Sequence, residues 1–210
     1  MIECVTLSTA HLFGDILPSL HRLRYRVFVE RQRWTVPHVD GMEYDQYDTP
    51  GTTYLVWRDR LGEARGVARL NPTNRPYMLQ ELWPDAVQGQ ALPASSKVVE
   101  GTRFGVDRGL DPATRDRVIG ELLCGCLEYG LMNDVDYYVV LMPVVVLKGT
   151  FMRSGCNVEF LGPNRWIGDE FCAAARCDVD QSILKRVRTR KRIEGPVLVT
   201  ADDLLKKEAA

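Results

Sequence analysis

The chain has no Cys-x-x-Cys pair among its six cysteines and only three histidines, His11, His21 and His38. Zinc-binding spacings are therefore missing, and no metal is expected. It also lacks a long apolar run. The most apolar stretch, 137–147, is too short to span a bilayer and contains Pro143. The first residues, Met1-Ile-Glu-Cys-Val, carry no basic region followed by an apolar one, so no targeting peptide is read there. A net charge of −1 leaves no excess to attract nucleic acid or a membrane surface. Free thiols, a reducing compartment and a cytoplasmic location are the expectation. One further absence is local. Between Trp34 and Trp57 there is no Lys or Arg, yet Asp40, Glu43, Asp45 and Asp48 fall in that interval, directly after a run rich in arginine.

At 210 residues the chain is read as a single domain over 1–210, with a loosely held tail from about 195. Strands are expected at 2–7, 52–58, 64–70, 97–104, 135–142, 157–161 and 166–172. Helices are expected over 13–27 with a kink at Pro18 or as two short helices, from Asp111-Pro112 to a Gly130 cap, from Pro143 to about 154, and over 179–193. Residues 35–51 read as a loop. This order predicts an α/β fold, a three-layer sandwich around a mixed, largely antiparallel sheet.

Charged residues stand at unusually apolar positions. On a helical wheel Arg24 and Phe28 share the inward face, whereas Arg22 and Arg26 lie on the outer face and read as solvated. Arg69 sits within Val67-Ala-Arg-Leu70, and Arg103 follows Glu100-Gly-Thr. In a regular strand Arg103 faces away from Glu100 unless a bulge intervenes. Three arginines (Arg24, Arg69, Arg103) thus seek carboxylates, and Asp45, Asp48 and Glu100 are the candidates, since an inward guanidinium needs a partner. Asp45 and Asp48 alternate with Tyr44 and Tyr47, a surface suited to an organic cation. These residues alone fit a structural ion network or an active site equally well.

The spacing Leu23-Arg24-x₃-Phe28-x₂-Arg31-x₂-Trp34-x-Val36-x₆-Glu43-x-Asp45-x-Tyr47-Asp48 resembles the diagnostic motif of the acyl-homoserine lactone synthases, the LuxI type of autoinducer synthase. The resemblance continues through Arg69-Leu-Asn-Pro-Thr73, Met78-Leu-Gln-Glu-Leu-Trp-Pro84 and Glu100-x-Thr102-Arg103-Phe104, and covers about 20–160. It implies an acetyltransferase-like (GNAT-like) sandwich. It also implies a reaction that joins an acyl thioester to S-adenosylmethionine, a consumed substrate rather than a cofactor, and releases methylthioadenosine. By this resemblance Glu100 is the general base, and Arg24, Asp45, Asp48, Arg69 and Arg103 complete the catalytic set. Phe28, Trp34, Asp45, Arg103 and Phe104 meet S-adenosylmethionine. Trp83, Leu141, Met142, Val145 and Val146 line the acyl pocket. Lys148 and Arg153 dock the donor, an acyl carrier protein or acyl-coenzyme A.

Two departures bear on specificity. Trp83 replaces the Phe that many members carry, and Leu141-Met142-Pro143 lacks the hydroxyl common in members that prefer 3-oxo chains. An unsubstituted acyl chain is therefore expected. A monomer or weak dimer is expected, without nucleic acid or membrane. The basic run 185–192 reads as a solvated helix. A GNAT-type N-acetyltransferase using acetyl-coenzyme A is the first rival, but residues 106–112 supply no glycine-rich pyrophosphate loop. A non-catalytic S-adenosylmethionine-binding relative is the second, and the presence of Glu100 argues against it.

Overall fold

The computed structural model describes residues 1–208. The chain divides into two compact units. One comprises Met1–Arg69, Arg103–Gly125 and the chain from Pro196 on; the other comprises Leu70–Thr102 and Cys126–Gly195.

The first unit opens with β1 (Ile2–Thr6) and a 3-10 turn (Ala10–Phe13), followed by helix α1 (Ile16–Arg24). The expected kink at Pro18 is absent. The break falls earlier, at Gly14 with φ of 60°. Pro18 sits in the first turn of α1, where a missing N–H costs nothing. Past Arg24 the helix widens into π-helical turns over Tyr25–Arg31. The Gln32 N–H accordingly reaches back five residues to Val27 O (3.2 Å). The expected loop contains a small hairpin, β2 (His38–Val39) and β3 (Met42–Glu43), closed by Asp40 and Gly41, both at positive φ. Asp-Gly is the usual chemistry of such a two-residue turn.

β4 (Thr53–Arg58) pairs antiparallel with β1, from Glu3↔Val56 to Thr6↔Thr53. β5 (Ala64–Pro72) lies beside β4, and its first six residues belong to this unit. Alternate apolar residues on these strands meet the apolar stripe of α1. Val5, Phe13, Ile16, Leu20, Leu23, Val27, Phe28, Tyr54, Val56 and Val67 form one buried cluster. The tail departs from expectation. β11 (Leu198–Val199) pairs parallel with β1, Val197 is buried, and α6 spans Ala201–Glu208. β1 would otherwise end the sheet with unpaired backbone groups, and the tail supplies their partners.

In the second unit, α2 is the short helix Met78–Leu82. β6 (Val98–Val106) pairs parallel with β7 (Tyr137–Pro143), from Val98↔Tyr137 to Gly101↔Val140. The helix α3 (Pro112–Met132) joins these strands as a parallel crossover requires. It runs through Gly130 rather than ending there. A Cβ on Gly130 would stand 2.9 Å from Val179 and 3.0 Å from Tyr138, so this glycine permits close packing and is not a cap.

α4 (Val144–Val146) continues as a second π-helical stretch, Leu147–Met152. The strand expected over 166–172 is instead a hairpin. β9 (Arg165–Ile167) turns at Gly168 into β10 (Glu170–Asp178), which also pairs with β8 (Val158–Phe160) and with β7. α5 (Gln181–Lys191) follows, capped by Asp180, whose carboxylate accepts the Ser182 N–H at 2.6 Å. All six cysteines are free thiols, as expected, and burial pushes those of Cys4 and Cys172 up to about 11. No helix among the described residues is long and apolar enough to cross a membrane.

One contact in this unit has no slack. A Cβ on Gly162 would stand 2.3 Å from the carbonyl oxygen of Ala86. Gly162→Ala should therefore cost about 2 kcal/mol, since backbone must shift to admit it. Urea denaturation with an unchanged midpoint would show that the loop yields freely.

Candidate functional site

Six charged side chains in the first unit close into a ring of alternating sign. Arg24 Nε donates to Glu43 Oε2 (2.6 Å), and its two terminal nitrogens donate to Asp48 Oδ1 (2.6 Å) and Oδ2 (3.0 Å). Arg69 donates in the same forked way to Asp45 (2.5 and 3.1 Å) and also lies 3.1 Å from Asp48 Oδ1. Arg103 closes the ring between Glu43 Oε1 (2.9 Å) and Asp45 Oδ2 (2.8 Å). Arg24, Arg69 and Glu43 are fully buried, and Arg103 nearly so. Such charges are tolerable in the interior only because each faces two of opposite sign in forked, hydrogen-bonded geometry.

The local fold explains how each member arrives. The Asp40-Gly41 hairpin brings Glu43 beneath α1, where the Glu43 carbonyl accepts from His21 Nδ1 (2.9 Å). A tight turn follows. The Asp45 N–H donates to Asp48 Oδ2 (2.8 Å), the Tyr47 N–H to Asp45 Oδ1 (2.9 Å), and the Tyr54 hydroxyl to Asp48 Oδ1 (2.7 Å). The two aspartates thus fix one another's backbone before they meet an arginine. Arg103 is in β6 but has φ of 51°, a left-handed conformation uncommon for a side chain of this size. This breaks the strand's regular alternation at the residue where the sequence left room for a bulge.

The aromatic residues of the motif gather on the same unit. Arg33, at φ of 60°, turns the chain back at the end of the widened helix, and the Trp34 N–H donates to Phe28 O (2.9 Å). The Trp34 and Phe28 rings then stack at 4.9 Å, with the Arg103 guanidinium 5.6 and 5.7 Å from the two ring centres. Tyr47 is buried under Arg69, whereas Tyr44 is exposed. Phe104 is half-buried.

Two sequence readings need correction. The third carboxylate among these arginines is Glu43, which the motif contained but the candidate set omitted; the Asp-Gly turn was the available signal. Glu100 accepts from the N–H groups of Met78 (3.2 Å) and Leu79 (2.7 Å) at the start of α2, in the second unit, and is 1% exposed. Arg22 is exposed as expected, but Arg26 is not free. It donates to Asp107 Oδ2 (3.2 Å) and Ala64 O (3.3 Å), because the end of β6 offers a carboxylate there.

The second unit also holds the acyl-pocket candidates. Trp83 and Leu141 pack on one buried cluster that includes Tyr77, Leu79, Val98 and Val139, and Met142 is buried. Val146 is half-buried. Val145 does not belong with them: it is 75% exposed, since adjacent positions on a helical turn cannot face one way. Lys148 and Arg153 are exposed. The basic run 185–192 is only partly a solvated face. Arg186 donates to Gly155 O (2.7 Å), and Arg190 donates to the carbonyls of Met152 (3.3 Å) and Arg153 (3.2 Å). These two cations, one turn apart, satisfy the carbonyl end of the second π-helical stretch.

A model described as autoinducer synthase matches residues 11–187. The chain belongs to the autoinducer synthase family. It is 31% identical to the acyl-homoserine-lactone synthase of Pseudomonas aeruginosa over 188 residues, 88% of this chain and 90% of that one. Among solved structures, the CoA-dependent acyl-homoserine lactone synthase BjaI, with SAM and isopentyl-CoA, superposes with a TM-score of 0.86. That match has 25% identity and covers 100% of this chain and 99% of that one. The synthase LasI gives 0.77 at 28% identity, over 95% and 96%. The mixed sheet with flanking helices is thus the fold of acyl-homoserine lactone synthases. Membership of the family sets aside the general N-acetyltransferase and the non-catalytic relative.

The ionisation of the ring has a measurable consequence. Burial alone would raise the pKa values of Glu43 and Asp48, but hydrogen bonds and charge from Arg24, with Arg103 for Glu43 and Arg69 for Asp48, hold both below the ordinary carboxylate value. A depressed folded-state pKa contributes stability that is present above the unfolded value, about 4, and is lost as pH falls through the folded one. Asp48→Asn leaves Arg24 and Arg69 undercompensated and should cost about 3–5 kcal/mol at pH 7. Urea denaturation should show that cost shrinking below about pH 4. A loss under about 1 kcal/mol at pH 7, that of a surface pair, would show that the ring is dispensable.

Proposed function

We propose that this chain makes an N-acyl-L-homoserine lactone from S-adenosylmethionine and an acyl-coenzyme A donor, with Glu100 as general base. The observation that carries the reading is the Glu100 carboxylate: buried, oriented by two backbone N–H groups, and on the acyl-side cluster's own unit. The two N–H groups orient its oxygens, and a carboxylate so placed can take a proton from the substrate amine directly or through a water. The freed amine then attacks the thioester carbonyl. The carbonyl carbon gains the nitrogen and loses the thiol, which leaves as coenzyme A. The methionine carboxylate next attacks its own γ-carbon and displaces methylthioadenosine from the sulfonium. This second step is intramolecular and needs mainly a folded substrate conformation.

In this reading Arg24, Glu43, Asp45, Asp48, Arg69 and Arg103 act as one frame. Both oxygens of Asp45 accept from arginine, so Asp45 holds the turn rather than seeking the substrate amine. The stacked Phe28 and Trp34, with Phe104, supply aromatic surface for the cationic substrate. Trp83, Leu141, Met142 and Val146 receive the acyl chain. Coenzyme A is favoured as donor because the full-length likeness is to a synthase described as CoA-dependent. Lys148 and Arg153 then serve the donor's phosphates or an acidic carrier protein. Both substrates are intracellular metabolites, which supports a cytoplasmic site of action.

Incubation with S-adenosylmethionine and a panel of acyl thioesters, read by mass spectrometry, tests the reading. The expected products are a lactone and methylthioadenosine from acyl-coenzyme A, faster with plain than with 3-oxo chains. No lactone from any donor would overturn the function, and lactone from acyl carrier protein alone would overturn the donor. Separately, Glu100→Gln should fold normally and lose turnover by about a hundredfold or more, the usual worth of a positioned base. Wild-type turnover in that variant would remove Glu100 from the role.

A further inference from the structure

α2 lacks a conventional N-terminal cap. Its N-cap residue is Tyr77, in extended conformation, and no side chain at that position accepts from the helix. Glu100 takes the place of the cap, receiving the first two N–H groups, Met78 and Leu79. The arrangement works in both directions: the carboxylate satisfies the helix, and the helix start fixes the carboxylate. What holds the helix start therefore helps to set where Glu100 stands.

Two side chains hold it, both buried. The Tyr77 ring is fully buried in the cluster with Leu79, Val98 and Val139, and its hydroxyl donates to Pro93 O at 2.9 Å. Thr73, 2% exposed, donates to Ser95 O (3.0 Å) and Val98 O (2.9 Å) and accepts the Ser95 N–H (3.2 Å). Residues 73–79 are thereby pinned to 93–98, and Glu100 follows two residues later on β6. A hydroxyl buried this deeply is retained at a desolvation cost unless it is bonded. Here the bond to Pro93 O ties the entry of α2 to the entry of β6.

We propose that Tyr77 is a positioning residue for Glu100: its hydroxyl anchors the start of α2, and the start of α2 orients the catalytic carboxylate. The inference rests on the reading of Glu100 as base. Tyr77→Phe keeps the ring and removes the anchor. The Tyr77 phenol itself stays neutral over the working range, because burial, Glu100 and Tyr137 all oppose its ionisation. Removing it takes no charge away. What changes is the hold of two N–H donors on the ionised form of Glu100, and weaker donation raises a carboxylate's pKa.

The test is the pH profile of kcat/KM with S-adenosylmethionine and acyl-coenzyme A. In Tyr77→Phe the acid limb should move up by about one unit and kcat should fall about tenfold, with both KM values within about twofold of wild type. Thr73→Val, a second break in the same clamp, should move the limb in the same direction, and near-UV circular dichroism reports whether each variant is folded. A purely structural Tyr77 would lower the amount of folded enzyme and leave the limb in place. An unmoved limb in both folded variants overturns the proposal. If Glu100→Gln is inactive while the limb is unmoved, only the role of Tyr77 falls. If Glu100→Gln is fully active, the base reading falls and this inference with it.

Discussion

A closed circuit of three guanidinium groups and three carboxylates is the constraint on which the first unit depends. Each ion is flanked by two of opposite charge, the formal charges sum to zero, and the members are almost entirely removed from water. An open chain of such ions would end in an undercompensated charge at each terminus. Closure removes the termini. It also accounts for the use of arginine throughout, since a planar fork can bond two partners at once and a lysine ammonium cannot reproduce that geometry.

The ring determines the placement of segments with little apolar surface of their own. Residues 38–48 form only a two-rung hairpin and a turn, yet Glu43, Asp45 and Asp48 bind them to α1, β5 and β6 at three points. Arg103 takes up a left-handed conformation in order to complete the circuit, and its guanidinium then lies against the stacked Phe28 and Trp34 rings. Backbone strain, cation–π contact and ion pairing thus meet at one residue. The widened turns over Tyr25–Arg31 serve the same end, because they precede the reversal at Arg33 that returns Trp34 to Phe28.

How much of this was legible in the sequence depended on the physics behind each signal. The inward position of Arg24 and Phe28 followed from helical periodicity, and the α1 face preserved it. The widened turns that begin one residue later have no periodic signature over so short a run. Pro18 was read as a breaker because proline interrupts helices, but a first-turn proline does not. Glu43 escapes the reading because Asp45, Asp48 and Glu100 already match the three arginines in number; the Asp-Gly turn, which folds Glu43 back under α1, is the signal for it. The tail reads as loose because chain termini usually are, whereas its order comes from the free edge of β1, nearly 200 residues away in sequence. Long-range pairing of that kind cannot be read from local patterns.

The buried carboxylates of the motif divide by environment into two kinds, and that division bears on chemistry. Glu43 and Asp48 are surrounded by arginine, and their pKa values are held down. A carboxylate so stabilised in its charged form is a poor proton acceptor, however well placed. Glu100 is buried too, and it accepts from two backbone N–H groups at the start of a short helix, which orient its carboxylate. Its geometry is fixed by amides, the feature on which the proposed role as base rests. Under the proposed function the same residue type supplies a permanent frame in one setting and a proton acceptor in the other.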